Sequence, residues 1–301
     1  MKAIVIGSNG YIARHLVRAL IERSIEVLPC GQNAVSVDNH PAYLQLDLTD
    51  AQSIEQLDFN ADAVFLFAGL TGTAVGFTKY EDYVRVNQIG LLHVLDAIRR
   101  KNPSIKIVFP SSRLVYKGIK DLPLVESSEK EFKTLYALTK FAGEATLDMY
   151  RNAFGLNYTI YRICVPYGNL LGGGYSYGTI GFMLGKAMKG EAITLFGDGG
   201  QKRTFTHVAD ICSAILDTAF LDISNHQTFN IGGETFSLKQ AASLIAQKYG
   251  VEVLYKEWNA LDLAIESGDT IFESSKLDAL LDVLSKTPRR YRFQDWLKTL
   301  S

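Results

Sequence analysis

Three residues in the middle of the chain have the types and the spacing that proton transfer requires. Tyr136 and Lys140 are four positions apart, so a helix would place both side chains on one face. A free tyrosine has a pKa of about 10, too high for a base at neutral pH, and a neighbouring ammonium group lowers that pKa. Ser112, after a predicted strand, could hold the substrate oxygen that gains or loses the proton. The pattern predicts an acid–base site in which Tyr136 carries the proton.

A glycine-containing segment near the start of the chain has the composition of a phosphate-binding turn. It reads Gly7-Ser8-Asn9-Gly10-Tyr11-Ile12-Ala13 and lies between the first predicted strand and the first predicted helix. Glycines there permit a tight turn and let a pyrophosphate approach the N–H groups at the helix N-terminus. Ala13 takes the place of a third glycine and is small enough for close helix–strand packing. The segment predicts dinucleotide binding by Gly7, Asn9, Gly10, Tyr11 and Ile12.

The elements around these residues alternate between short apolar strands and helices. Strands are predicted at six apolar runs: Ala3–Ile6, Ile25–Cys30, Ala42–Leu46, Ala63–Phe67, Ile105–Phe109 and Tyr158–Cys164. Helices are predicted over 11–23, from Asp50 as a cap to Leu57, and over 81–100. Strands that are apolar throughout are typical of a parallel sheet covered on both faces. The predicted fold is therefore α/β, a doubly wound parallel sheet of the Rossmann type.

The sequence changes character after Cys164. Glycine-rich segments at 172–174 and 197–200 predict loops. Helices are expected at 177–189, 208–221, 238–249 and 275–281, with strands near 193–196 and 228–231. We therefore expect a dinucleotide-binding domain over residues 1–165 and a smaller C-terminal α/β substrate-binding lobe over residues 166–301. The helix near 208–221 and the strand near 228–231 are expected to rejoin the first domain.

The composition excludes several classes of protein. Of 301 residues, 47% are hydrophobic and 21% charged, and the net charge is −1, so the chain is neither disordered nor suited to nucleic acid or a membrane surface. The longest apolar run, 63–70, is far shorter than the roughly 20 residues of a membrane span, and residues 1–7 do not resemble a signal peptide. The three widely spaced cysteines favour reduced thiols in the cytoplasm. The five histidines lack metal-ligand spacing, so no metal is expected.

Two helices carry more apolar residues than one sheet face can bury. Within 81–100 they occupy more than one face: Val84, Val86, Ile89, Leu91, Leu92, Val94, Leu95, Ala97 and Ile98. The helix that carries Tyr136 and Lys140 shows the same excess over residues 141–150. Because a helix packed on a sheet needs one apolar stripe, the excess predicts the self-complementary interface of a homodimer.

Taken together, the motifs resemble those of the extended short-chain dehydrogenases/reductases of the nucleotide-sugar epimerase/dehydratase group. The resemblance runs nearly end to end, through these segments: Asp47-Leu48, Phe67-Ala68-Gly69, Val86-Asn87-Gln88-Ile89-Gly90, Ser111-Ser112-Arg113-Leu114-Val115-Tyr116, Arg162 with Tyr167-Gly168, the segment 197–210, and Phe229-Asn230-Ile231-Gly232.

The resemblance implies a role for each matching residue. Ser112, Tyr136 and Lys140 would be catalytic. The cofactor, NAD(P), would be bound by the glycine turn, by Tyr136 and Lys140, and by Asp47, Leu48, Phe67, Ala68, Gly69 and Asn87. The substrate would be a small molecule, by resemblance a nucleotide sugar. It would contact Thr71, Ser112, Arg113 and Arg203, with Arg203 on its phosphate.

The end of the second predicted strand departs from the family pattern. NAD enzymes of this fold carry an acid there that binds the ribose hydroxyls of adenosine. In this chain the corresponding cofactor-binding positions are Gly31, Gln32 and Asn33, and none of them is an acid. With no carboxylate to repel it, a 2′-phosphate could fit, and Arg14 could reach it, which favours NADP over NAD. The alternative is that Asp38 replaces the missing acid if its loop folds back.

Further departures concern the reaction and the substrate. Dehydratases of this group place an Asp-Glu pair after the catalytic hydroxyl, whereas Arg113 and Leu114 stand here, so dehydration is not expected. Val165 replaces an asparagine of the family, and no arginine precedes the pair Gly268-Asp269. Substrate binding is therefore expected to depend more on Arg203 and on the loop 170–179.

Several functions remain open at this point. The expected reaction is hydride transfer at a sugar carbon, C4, of a nucleotide-activated sugar, by a 4-epimerase or a 4-keto reductase. One alternative is an NADPH-dependent reductase of a carbonyl compound without a nucleotide. The other is a regulator that binds a dinucleotide without catalysis.

Overall fold

The computed structural model describes residues 1–171, 177–286, 288 and 290–300. The strands in these residues are β1 (Lys2–Ile6), β2 (Glu26–Gly31), β3 (Leu44–Gln45), β4 (Ala63–Leu66), β5 (Lys106–Ser112), β6 (Pro123–Leu124), β7 (Asn157–Ile163), β8 (Val165–Tyr167), β9 (Ile193–Phe196), β10 (Lys202–His207), β11 (Gln227–Asn230), β12 (Glu234–Ser237), β13 (Val253–Lys256) and β14 (Ile271–Phe272). The α-helices are α1 (Tyr11–Glu22), α2 (Ala51–Glu55), α3 (Tyr80–Val84), α4 (Gly90–Lys101), α5 (Leu135–Phe154), α6 (Gly178–Ala187), α7 (Val208–Thr218), α8 (Leu238–Tyr249), α9 (Ala260–Ile265), α10 (Ser275–Val283) and α11 (Phe293–Thr299). Short 3₁₀ turns span Ala74–Phe77, Arg113–Val115 and Asp222–Ser224, and a π-helical turn spans Arg85–Ile89.

The chain divides into two compact units, and the first consists of residues 1–115, 134–162 and 215–229. Its seven-stranded sheet has the order β11-β7-β5-β4-β1-β2-β3. From β3 to β5 neighbouring strands run parallel, with Ala3 of β1 opposite Val27 and Ala63. Outward growth in both directions from β1 is the doubly wound arrangement of a Rossmann sheet, which confirms the predicted fold class.

The hydrophobic core of this unit accounts for the continuous apolar runs of its strands. Every residue of β4 and β5 is buried, and α1 buries its apolar stripe, which includes Ala13, Leu16 and Leu20. Strands of this kind need cover on both faces, since neither face alternates with polar residues. α2 begins after Asp50, whose side chain accepts a hydrogen bond from Gln52 N at 2.9 Å, as the sequence predicted.

The second unit consists of residues 116–133, 163–214 and 230–301. It contains a three-stranded sheet in the order β12-β10-β8 and two strand pairs, β13-β9 and β14-β6. α8 begins with a capping box, in which the side chain of Ser237 bonds Gln240 N and the side chain of Gln240 bonds Ser237 N. α6 packs against α8.

The structure differs from the sequence-based expectation in several elements. The helix predicted over 81–100 consists of α3, the π turn and α4 in succession. β3 is only two residues long, and the short strands β6, β8, β12, β13 and β14 were not predicted, because two to four residues carry too little periodicity to be recognised. Much of the predicted substrate loop, residues 172–176, lies outside the described residues. Among those described, no helix is both long enough and apolar enough to cross a membrane.

Candidate active site

The glycine turn between β1 and α1 has a backbone that only glycine tolerates. Gly7 has φ +87°, and a Cβ added there would lie 2.4 Å from the backbone nitrogen of Ala68. Gly7 N and Ser8 N both donate to the carbonyl of Cys30, at 2.8 and 2.9 Å, which fixes the turn to the end of β2. Tyr11 and Ile12 are the first residues of α1. The turn therefore presents the start of a helix where the strands end, as an anion site requires.

A cavity of about 300 Å³ opens at this turn in the first unit. Most of the residues predicted to bind the cofactor line it: Gly7, Asn9, Gly10, Gly31, Gln32, Asn33, Asp47, Leu48, Phe67, Ala68 and Gly69. Ile6, Leu46, Leu70 and Val86 also line it and were not predicted. Tyr11 and Ile12 are not among its lining residues. A glycine cradle beside a helix N-terminus, next to a cavity of this size, fits a dinucleotide.

Asp47 and Gln32 form a polar border of the cavity. Asp47 Oδ1 accepts hydrogen bonds from the backbone nitrogen and the hydroxyl of Thr49, both at 2.9 Å. The side chain of Gln32 is 3.5 Å from the other carboxylate oxygen of Asp47, and the carbonyl of Gln32 accepts a hydrogen bond from Gln45 at 3.1 Å. These contacts hold the ends of β2 and β3 together at the cleft.

Asn87 connects the loop after β4 to the helix that carries Tyr136. Its Oδ1 accepts from Leu70 N at 2.8 Å, and its Nδ2 donates to Leu70 O and to the hydroxyl of Thr139, both at 3.1 Å. The neighbouring Gln88 donates to the Thr139 carbonyl at 2.7 Å. Both residues lie in the π turn, and such turns occur frequently at functional sites. The widened turn lets two consecutive side chains reach α5.

Tyr136 and Lys140 lie on the first turns of α5, which begins after Thr134, whose hydroxyl accepts from Ala137 N at 3.1 Å. Lys140 Nζ is 5.9 Å from the ring centroid of Tyr136 and donates to the carbonyl of Pro110 at 2.9 Å. It also lies 4.8 Å from the ring centroid of Phe109. The predicted pair is thus on one helix face, with the ammonium close to the phenol.

The amine of Lys140 lies next to the cavity at the glycine turn. A Cβ built on Gly69, which lines the cavity, would be 3.9 Å from Lys140 Nζ. Burial lowers the pKa of Lys140 to about 8, and the charge of Glu144 opposes this in part. At neutral pH the amine is therefore still mostly protonated and can favour the phenolate form of Tyr136.

Ser112 ends β5 and is buried, and its hydroxyl accepts a hydrogen bond from Leu114 N at 3.2 Å. The 3₁₀ turn that contains Arg113 follows directly, and α5 packs against both β5 and this turn. Ser112, Arg113 and Tyr136 therefore lie on neighbouring elements of the first unit. Thr71 is exposed in the loop after β4, where its carbonyl accepts from Tyr83 at 2.5 Å.

Arg203, the expected phosphate ligand, lies in β10 of the second unit and is 2% exposed. Its guanidinium forms an ion pair with Glu266 and donates to the carbonyls of Gly268 and Lys202, the latter at 2.9 Å. Glu266 also accepts from Gly268 N at 3.1 Å. A phosphate bound by Arg203 would have to compete with this carboxylate, a constraint that the sequence did not reveal.

No group of three or more His, Cys, Asp or Glu side chains capable of holding a metal ion occurs in the described part of the chain.

Comparison with known proteins identifies the family of this chain. The model of the NAD dependent epimerase/dehydratase family matches residues 3–232. A dTDP-4-dehydro-6-deoxy-D-allose reductase from a Streptomyces species is 29% identical over 269 residues, which cover 82% of this chain and 81% of the relative. A UDP-N-acetyl-alpha-D-glucosaminuronate decarboxylase from Bacillus cytotoxicus is 26% identical over 253 residues, covering 77% and 75% of the two chains.

Solved structures share the fold. The UDP-glucose 4-epimerase of Thermus thermophilus, crystallised with NAD, superposes with a TM-score of 0.86 at 24% identity, over 99% of this chain and 97% of that chain. The preference for NADP that the sequence suggested finds no support in these comparisons. Since the family model matches most of the chain, this protein belongs to the NAD dependent epimerase/dehydratase family and is an enzyme of the extended short-chain dehydrogenase/reductase group.

Proposed function

We propose that this enzyme transfers a hydride between NAD and a sugar carbon, C4, of a nucleotide-activated sugar. The observation that carries the proposal is the Tyr136–Lys140 pair on α5, with the Lys140 amine next to the cavity that the glycine turn borders. Relatives of this chain are named for reactions on dTDP-sugars and UDP-sugars. Together, these observations support acid–base chemistry coupled to a dinucleotide, with a nucleotide sugar as substrate.

Tyr136, Lys140 and Ser112 each have a separate role in the proposed reaction. The cavity residues would hold NAD, which would accept the hydride when the sugar is oxidised and, in its reduced form, would donate it when the carbonyl is reduced. Tyr136 takes the proton from the sugar hydroxyl during oxidation and returns it to the carbonyl oxygen during reduction, so its pKa must lie near the working pH. The positive charge of Lys140 stabilises the phenolate of Tyr136 and would hold the nicotinamide ribose. Ser112 orients the reacting oxygen by a hydrogen bond from its hydroxyl.

Two outcomes share this machinery, a 4-epimerase and a 4-keto reductase. The epimerase oxidises the carbon, reduces the opposite face and regenerates its cofactor, whereas the reductase consumes one reduced cofactor per turnover. Neither Arg113 nor Leu114, which follow Ser112, can act as a general acid, so we do not propose dehydration. Measuring the bound cofactor of the purified protein separates the two outcomes, because an epimerase must retain its cofactor between half-reactions.

A second candidate is the reduction of a carbonyl compound that carries no nucleotide. The burial of Arg203 and its ion pair with Glu266 favour it, because a guanidinium already neutralised by a carboxylate binds a diphosphate less readily. Thermal unfolding with UDP-, dTDP-, CDP- and GDP-sugars tests this alternative. A ligand at about 100 times its Kd adds roughly 2.7 kcal/mol of stability, and the absence of any protection would favour the second candidate.

The test of the catalytic assignment is Tyr136→Phe, with Tyr80→Phe at an exposed tyrosine as the matched control. Removing the proton donor should lower turnover by about 10²- to 10⁴-fold and leave NAD affinity nearly unchanged. Turnover is measured on the sugar nucleotide that protects best. Near-normal turnover in Tyr136→Phe would remove the tyrosine from the mechanism.

We also propose a cytoplasmic homodimer. Apolar side chains of α3, the π turn, α4 and α5 remain exposed: Val84, Ile89, Leu92, Leu138 and Met149. α5 packs against α3, the π turn and α4, so these residues lie on adjoining helices and offer a surface that a second copy could cover. The cytoplasmic location is supported by the three cysteines, all of which are buried.

A further inference from the structure

The loop that follows β2 is fastened beside the cofactor cavity by side-chain hydrogen bonds. Asn9, in the glycine turn, donates to the carbonyl of Val35 at 3.1 Å and accepts from Val37 N at 2.9 Å. The hydroxyl of Tyr43 donates to the carbonyl of Asn33 at 2.8 Å. Since Asn9 and Asn33 both line the cavity, the loop is fixed at the end of the cleft where the fold binds the adenosine ribose.

The same loop carries Asp38, which forms an ion pair with Arg14 of α1. Arg14 Nε is 2.8 Å from Asp38 Oδ2 and Nη2 is 2.6 Å from Oδ1, so both carboxylate oxygens are engaged. The side chains are 25% and 40% exposed. The hydrogen bond from Arg14 holds the pKa of Asp38 below its ordinary value, so the pair stays charged at neutral pH. Arg14 and Asp38, which the sequence suggested as separate contacts for the ribose end, are thus bonded to each other.

The usual position for an acid, at the end of β2, carries no charge here, because residue 31 is a glycine and its neighbours Gln32 and Asn33 are neutral. A Cβ on Gly31 would lie 2.9 Å from the hydroxyl of Tyr43, so a side chain there would require Tyr43 to shift. Asp47, a carboxylate that does line the cavity, is engaged with Thr49. Charge discrimination at the ribose end therefore depends on Arg14 and Asp38.

We propose that the Arg14–Asp38 ion pair determines which dinucleotide this enzyme accepts, an inference that rests on the proposed function. While Asp38 engages two N–H donors of Arg14, a 2′-phosphate encounters a neutralised guanidinium and a neighbouring negative charge, so NAD is favoured. Without the charge of Asp38, the planar fork of Arg14 is released to bind a phosphate through two parallel hydrogen bonds. Asp38 is thus the residue that excludes NADP, and Arg14 is the residue that would bind it.

The experiment measures binding and needs no substrate. NAD and NADP are titrated by calorimetry into the full-length wild type, Asp38→Asn, Arg14→Gln and the double variant. Glu22→Gln is the matched control, since it removes a carboxylate from another exposed ion pair of α1, with Arg18 at 2.8 Å. We expect the wild type to favour NAD. Asp38→Asn should tighten NADP binding by about ten- to a hundredfold, the effect of charge-assisted hydrogen bonds, and should change NAD binding by less than about fivefold.

The double variant and the Glu22→Gln control show whether tighter NADP binding in Asp38→Asn depends on Arg14. Loss of the NADP gain in the double variant, with no gain in Glu22→Gln, supports the proposal. An unchanged ratio of NAD to NADP affinity in Asp38→Asn, a gain that survives Arg14→Gln, or a wild type that already favours NADP overturns it. Failure of the wild type to bind either dinucleotide would instead overturn the proposed function.

Discussion

Replacing Lys140 with methionine separates the catalytic role of the amine from its effect on stability. Lys140 is buried in the first unit, and the methionine keeps most of the apolar stem while removing the charge. The gap between the ordinary lysine pKa of 10.5 and the folded value of about 8 corresponds to about 3 kcal/mol at neutral pH. The folded state carries this cost because burial disfavours the ammonium.

The direction in which stability changes with pH follows from the protons that the folded and unfolded chains bind. Between pH 8 and 10.5 the unfolded chain holds the Lys140 proton and the folded chain has released it, so stability rises with pH in that window. Below pH 8 the folded wild type bears the full cost of burying the ammonium of Lys140. The methionine variant does not bear this cost, but in it the carbonyl of Pro110 loses its hydrogen bond, which costs about 1–3 kcal/mol. At pH 7 we therefore expect the variant to be as stable as the wild type or up to about 2 kcal/mol more stable, with turnover at least about 100-fold lower.

Urea unfolding at pH 7 and pH 9.5 measures the effect. Other titrating groups are common to both proteins, so the comparison isolates Lys140: the wild type should gain about 2 kcal/mol on the variant between the two pH values. Lys79→Met, at an exposed lysine, is the matched control and should follow the wild type. Equal pH dependence in wild type and Lys140→Met would refute the reasoning, since it would mean that folding does not strip water from a charged amine.

Two further predictions concern the first unit. Arg162 and Glu144 form a buried bidentate ion pair at 2.9 and 2.5 Å. Arg162→Met leaves the buried carboxylate unpaired and should lower the free energy of unfolding by about 3–5 kcal/mol. Urea unfolding measures this loss, and the double variant with Glu144→Leu should recover much of it. Leu92→Lys with Met149→Lys should convert the proposed dimer into a monomer of 33.4 kDa, measured by light scattering, with Val283→Lys at an exposed site of the second unit as control. A wild type that is already monomeric at micromolar concentration would contradict the second of these predictions.

The local features of this protein could be inferred from sequence because each depends on residues close together in the chain. The Rossmann strands are continuous apolar runs, so their burial on both faces follows from composition. The glycine turn follows from conformational freedom, and Gly7 with φ +87° has the backbone that the turn needs. Tyr136 and Lys140 share a face because they are four residues apart on α5.

Contacts between distant residues were decided only by the tertiary structure. Asn87 and Gln88 bind Thr139, more than fifty positions away, in a π turn that the helical pattern does not distinguish from an α-helix. Glu266 neutralises Arg203 across 63 positions, in a segment where sequence analysis registered only a missing arginine.

Arg14 and Asp38 were predicted to act separately, and the path of the loop after β2 brings Asp38 to Arg14 of α1 as an ion pair. Hydrophobic periodicity fixes which face of an element is buried, but it carries no information about which polar side chains meet when loops close. The sequence therefore determined the fold and the residue types of the candidate site, while the ion-pair partners of Arg14 and Arg203 were decided only by the folded chain.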